Sequence, residues 1–271
     1  MKVLTNFWNL LKNENMKIYR RPRTYIMLAI IAGLVLLISL LWFSFDKQST
    51  SMWEVAQLEM TIVNVLVAIF AVVIAASIVS EEFSTGTIKL LLIRPWSRSK
   101  ILLSKYIAAI LFLILATAVL ITSSLLINWL LFSVFSPNTV PLIDPEFSAI
   151  INDGSSSAYL FKSYGLNLIT TIVTVTMSFM ISTIFRSNIL AISISLFMLL
   201  IVNNMMMLLT LINKPWVDYL LFIHLDLVSY LHNSPIREGL TLSFSLTVLA
   251  CYWLLFMILT WVFFKKRDVA S

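Results

Sequence analysis

Six long apolar runs without a single charge constrain this chain more than any other feature. They are Tyr25–Phe45, Met60–Val79, Tyr106–Ile127, Tyr164–Phe185, Ile189–Ile212 and Leu242–Phe264, and none contains Asp, Glu, Lys or Arg. A hydrocarbon core is crossed by about 20 residues of helix, so each run is long enough to span. Backbone amides in lipid must find partners within their own segment, which favours helices. The Leu, Ile and Phe runs also lack the alternation of an outer-membrane barrel. An all-α polytopic membrane protein is expected. Composition agrees: of 271 residues, 60% are hydrophobic and 12% charged, with a mean hydropathy of +0.95. Soluble enzymes, nucleic-acid-binding modules and disordered proteins are excluded by that balance.

The net charge of +6 acquires meaning once it is divided between the two sides of the membrane. Fifteen basic residues fall before the first run, in loop 80–105, at Arg186 and in the tail, against four (Lys47, Lys162, Lys214 and Arg237) in the alternate loops. Basic residues stay in the cytoplasm, so both termini are expected there, with the chain multi-pass. The first run, at 21 residues, exceeds a signal-peptide core and no cleavage pattern follows Phe45, so it reads as an anchored helix. Ahead of it, residues 1–24 read as an interfacial amphipathic helix: Val3, Leu4, Phe7, Trp8, Leu11 and Ile18 on one face, Lys2, Lys12 and Lys17 on the other. The whole chain, 1–271, is expected to form one transmembrane domain. Cys251 is its only cysteine, so no intrachain disulfide exists.

The loops differ in kind. Arg186–Asn188 is so short that it forces an antiparallel hairpin, whereas 128–163 is long and rich in turn residues. Segment 213–241 holds an amphiphilic stretch too short to cross, expected as re-entrant or interfacial helices. Loop 80–105 reads as a short cytosolic interfacial helix with Glu81, Glu82 and Lys89 facing water, stopped at Pro95; Ser97 or Ser99 then caps the next span.

The chemistry that is missing narrows function. The five glycines build no phosphate-binding loop, and His224 and His232 have no acidic cluster beside them, so neither ATP nor a metal site is expected in this chain. Glu81-Glu82 resembles the double-glutamate motif of intramembrane proteases, but Gly86 stands where that family has Arg. No enzyme and no cofactor of its own is expected. An ion-coupled carrier or channel is the alternative; it normally needs an ionisable group within the spans, and the six runs have none. The neutral polar residues Asn64, Asn203 and Asn204, with Met205, are candidates for a substrate pathway, and the series Thr170, Thr171, Thr174, Ser178 and Ser182 for interhelical hydrogen bonds.

The string Glu82-x-x-x-Gly86-Thr87-x-x-x-Leu91-Leu92-x-x-Pro95-x-x-Arg98, with Lys105 heading the next span, resembles the permease subunits of ABC transporters of the ABC-2 type. The resemblance implies a coupling helix in this loop, docking on a cytosolic ABC ATPase subunit that holds ATP and Mg. Glu81, Glu82, Gly86, Thr87, Arg94, Pro95 and Arg98 would form or support that contact. It also implies a pathway shared with a second permease copy, identical or not, and export of peptide, antibiotic or lipid-like cargo.

Overall fold

The computed structural model describes residues 2–45, 52–87, 96–134, 156–210, 214–232 and 239–266, with Ile212 and Arg237 between them. Every long element among them is a helix: α1 (Lys2–Tyr19), α2 (Pro22–Phe45), α3 (Met52–Ser84), α4 (Arg98–Asn128), α5 (Ser156–Ile184), α6 (Asn188–Thr210) and α7 (Leu242–Lys266). The breaks between them have local causes. Pro22 opens α2, where its missing N–H costs nothing. Gly86 stops α3 by taking φ +72°, a conformation glycine adopts without strain. Ser97, extended at φ −67° and ψ 141°, caps α4, its hydroxyl accepting from the Lys100 amide.

Five of these helices, α2, α3, α4, α5 and α7, are long and apolar enough to cross a membrane. The chain is therefore a multi-pass all-α membrane protein. The expected fifth span is also helical, as α6, but its described apolar stretch is the shorter Asn188–Ile201. Two further expectations need correcting. α3 does not begin at residue 60 or end at 79; it runs 33 residues, carrying Glu59 inside its first turns and Glu81 and Glu82 inside its last. The glutamate pair thus belongs to a continuous membrane helix, and Gly86 and Thr87 are the exposed turn behind it. Residues 88–95, with Arg94 and Pro95, and most of loop 128–163 lie outside the described residues.

α3 is the central helix, packing on α2, α4, α5 and α6. Small side chains of both helices, Ala71 and Ala75 of α3 and Ala108, Ala109 and Ala116 of α4, are buried in the core cluster they share. Small residues let backbones approach closely where lipid supplies no hydrophobic driving force. The hydroxyl series of α5 behaves differently from expectation. Thr170, Thr171, Thr174 and Ser178 bond to carbonyls of their own helix. Ser182 alone of that series crosses to another helix, accepting from the Val79 and Ser80 amides of α3.

Between α6 and α7 the chain makes three short 3₁₀ turns, Pro215–Tyr219, Leu221–His224 and Val228–His232, in place of the expected helix pair. They are tied to α7 through His224 Nδ1 and Tyr230 Oη, 2.8 and 2.6 Å from Ser245 Oγ. An Arg237–Asp218 ion pair of 2.5 Å closes the segment on itself.

Candidate functional site

At one end of the bundle α1, the end of α3 and the start of α4 meet in a ring of alternating charge. Lys105 of α4 has no exposed surface, yet its Nζ lies 2.8 Å from Glu14 Oε2 of α1 and 2.6 Å from Glu82 Oε1 of α3. Lys17, one turn beyond Glu14, completes the ring at 2.7 Å from Glu14 and 2.8 Å from the same Glu82 oxygen. Two lysines and two glutamates cancel, which is the condition under which buried charge is tolerated. Beside the ring Arg21 donates to both carboxylate oxygens of Glu81, at 2.6 and 2.7 Å, and Arg23 stands 3.7 Å away.

The ring sets the titration of its members in α1. Burial alone would raise the Glu14 carboxyl, but attraction to Lys105 and Lys17 outweighs it and holds the group below its ordinary value. Burial would lower the Lys17 ammonium, and Glu14 and Glu82 outweigh that to hold it above its ordinary value. The network borders a cleft of about 440 Å³ whose lining also includes Arg21, Arg23, Glu81, Thr85 and Thr87. Two buried atoms in that lining have no partner: Glu82 Oε2 and Arg23 Nε. Such an arrangement holds helices together and offers one acceptor and one donor to a visiting group. Among the described residues no cluster of His, Cys, Asp or Glu suits a metal ion.

The sequence-derived site residues are only partly brought together. Glu81 and Glu82 are in the network, half-buried in ion pairs instead of facing water. Thr87 and Gly86 are exposed beside it. Arg98, at the head of α4, donates to the Lys265 carbonyl of α7 at 3.1 Å and so ties the last helix to this end. Asn64 and Met205 are half-buried on α3 and α6; Asn203 and Asn204 are in α6, and their side chains lie outside the described residues. No hydrogen bond among the described contacts joins these into a pathway. The residues that sequence reasoning passed over are Glu14, Lys17 and Arg21. The Glu14–Lys17 spacing of three was visible as a helical ion pair, but their partners are 65 and 91 residues away. The amphipathic face assigned to α1 is also revised: Leu10, Leu11 and Ile18 are buried, whereas Trp8 is 69% exposed.

The family described as "Protein of unknown function (DUF2705)" matches residues 25–270. This chain belongs to it. "Uncharacterized protein YhcI" of Bacillus subtilis (strain 168) is 34% identical over 208 residues, covering 77% of this chain and 66% of that protein. "Uncharacterized membrane protein YdbK" of the same organism is 31% identical over 212 residues, covering 76% and 79%. The chain therefore spans just under two thirds of the first relative and more of the second. These matches overturn the expected membership of the ABC-2 permease family. The loop motif that suggested it covers only some 25 residues, while the match to the DUF2705 family runs from α2 through α7, that loop included.

Proposed function

We propose that this protein is the membrane subunit of a transport assembly worked from its charged end by a separate cytosolic ATPase. The observation that carries the reading is the Glu14–Lys17–Glu82–Lys105 ring, which fastens a helix lying outside the spans to the ends of two long ones. A push on α1 or on the exposed Gly86–Thr87 turn is then passed to α3 and α4 without loss in flexible linkers. In this reading the chain performs no catalysis, and ATP and Mg are held by the partner. The basic side is cytoplasmic, both termini lie there, and α6 completes six crossings. Arg98 and Lys105, both in the first turns of α4, hold the Lys265 carbonyl and the Glu14 carboxylate, and this supports an even number of crossings. The exposed apolar faces of α2 and α7 suit lipid and a second copy, and the cargo is amphipathic or lipid-like.

The test is reconstitution of the full chain in liposomes with and without a candidate cytosolic ATPase. Stimulated ATP hydrolysis, and disulfide crosslinking of Thr87→Cys to a cysteine on the ATPase, are expected. Transport by the isolated chain under an ion gradient, with no ATPase, would instead establish an ion-driven carrier, a reading that the buried carboxyl of Glu59 favours.

A further inference from the structure

Glu59 lies in α3 far from the charged end and has no exposed surface. Its Oε1 is 2.5 Å from Ser39 Oγ of α2. Its Oε2 accepts from Ser124 Oγ at 2.6 Å and Asn128 Nδ2 at 2.8 Å, both on α4. Ser39 Oγ is in turn 3.0 Å from Asn128 Oδ1 and 3.0 Å from the Val35 carbonyl. Among the described residues no Lys, Arg or His pairs with Glu59. The other titratable group that faces it is Tyr164 of α5, a neutral phenol beside Ser124.

Counting protons decides the state of this node. Ser39 has one proton and two side-chain acceptors, Glu59 Oε1 and Asn128 Oδ1. With an ionised Glu59, the serine proton goes to the carboxylate and Asn128 Oδ1 is left facing a lone pair. The node then also carries a full negative charge with no cation beside it, which burial penalises heavily. With a proton on Oε1, Glu59 donates to Ser39 and Ser39 donates to Asn128 Oδ1. Ser124 and Asn128 Nδ2 still donate to Oε2, and each of these side-chain atoms is satisfied.

We propose that Glu59 is a proton-binding site: its carboxyl carries an exchangeable proton at neutral pH, clasped between Ser39 of α2 and Ser124 and Asn128 of α4. The ligand is a proton and not a metal cation, because the Asn128 amide presents a donor to the oxygen a cation would need. Release converts the node to a carboxylate, with the proton passing to water. It would place bare charge at the joint that holds α2, a helix whose other buried polar residue is Thr24. Asn128 is followed at once by a π-helical turn, Trp129–Val134, a departure that recurs at functional sites. This inference stands independently of the docking reading.

Infrared spectroscopy of the full chain in nanodiscs tests it. At neutral pH the wild type should show a protonated-carboxyl C=O band that shifts in D2O and is missing in Glu59→Gln. That variant should keep the wild-type unfolding midpoint, since the glutamine amide repeats the bonding of the protonated acid. Should Glu59→Gln fail to fold, Ser39→Ala must shift the same band by removing its acceptor. No band at neutral pH, a band unmoved by Ser39→Ala, or a band abolished when sodium replaces choline at fixed pH would each overturn the proposal.

Discussion

Lys105 is the residue on which the charged end depends, because two carboxylates from two other helices converge on its ammonium. Lys105→Met leaves Glu14 and Glu82 sharing Lys17 alone, so unfolding in detergent should be easier by about 3–5 kcal/mol, the usual cost of stranding one member of a buried pair. Glu14 also gives the protein a definite acid limb. A carboxyl that titrates lower when folded stabilises the fold wherever it is ionised. Its contribution is complete above the ordinary glutamate value of about 4.3 and is lost as pH falls through the depressed folded value. Lys17 mirrors this: its contribution is complete below about 10.4 and is lost as pH rises through its elevated folded value. Thermal unfolding followed across pH should therefore show a neutral plateau with two falling limbs, and Lys105→Met should shrink the acid one. Little of this was legible beforehand. Lys105 stood one residue before an apolar run and Glu59 one residue before another, and a hydropathy boundary cannot say whether such a residue snorkels to water or turns inward. The turn inward depends on partners far along the chain.

Helices are where sequence reasoning succeeded and where its boundaries gave way. Apolar runs locate a helix at each of the six expected positions, five of them long and apolar enough to cross, because transfer free energy is a local property, additive along the chain. Their ends are set by capping and by what the flanking charges meet, so α3 extends past its run at both ends. The α3–α4 seam shows what mean hydropathy hides. Ala109 of α4 is fully buried in the core cluster the two helices share, and Ala109→Leu should destabilise the protein by about 1–3 kcal/mol through overpacking. Leu111→Ala, on the exposed face of the same helix, should be close to neutral. Comparing the two unfolding midpoints checks that the seam matters and side-chain size by itself does not. The 3₁₀ segment makes a separate prediction. Burial lowers the His224 imidazole, with Asp218 opposing more weakly. Charging it opposes folding, so stability should fall as pH drops below the ordinary histidine value of about 6.5, and His224→Gln should remove that dependence from the unfolding midpoint.

At the scale of the whole molecule, Glu14 near one end of the described chain and Lys265 near the other are both bonded to the first turns of α4, and residues 135–155 are the connection between the far end of α4 and the start of α5. Alkaline phosphatase folds only in an oxidising compartment. Fusions within 135–155 should be active, and fusions at either terminus inactive; active terminal fusions would reverse the proposed orientation. α3 adds a constraint of a different sort. Its two polar nodes, at Glu59 and Glu81, enclose the 21 uncharged residues 60–80, a helical length of about 32 Å at 1.5 Å per residue. That is close to the roughly 30 Å hydrocarbon thickness of an ordinary bilayer. The helix is thus a ruler with marks at both ends. Lipids with longer acyl chains would draw one mark into oil, and shorter ones would leave apolar side chains in water. Unfolding midpoints measured across a series of acyl-chain lengths should peak near the matched thickness and decline on both sides, which makes the lipid composition of its host membrane a determinant of how well this protein holds together.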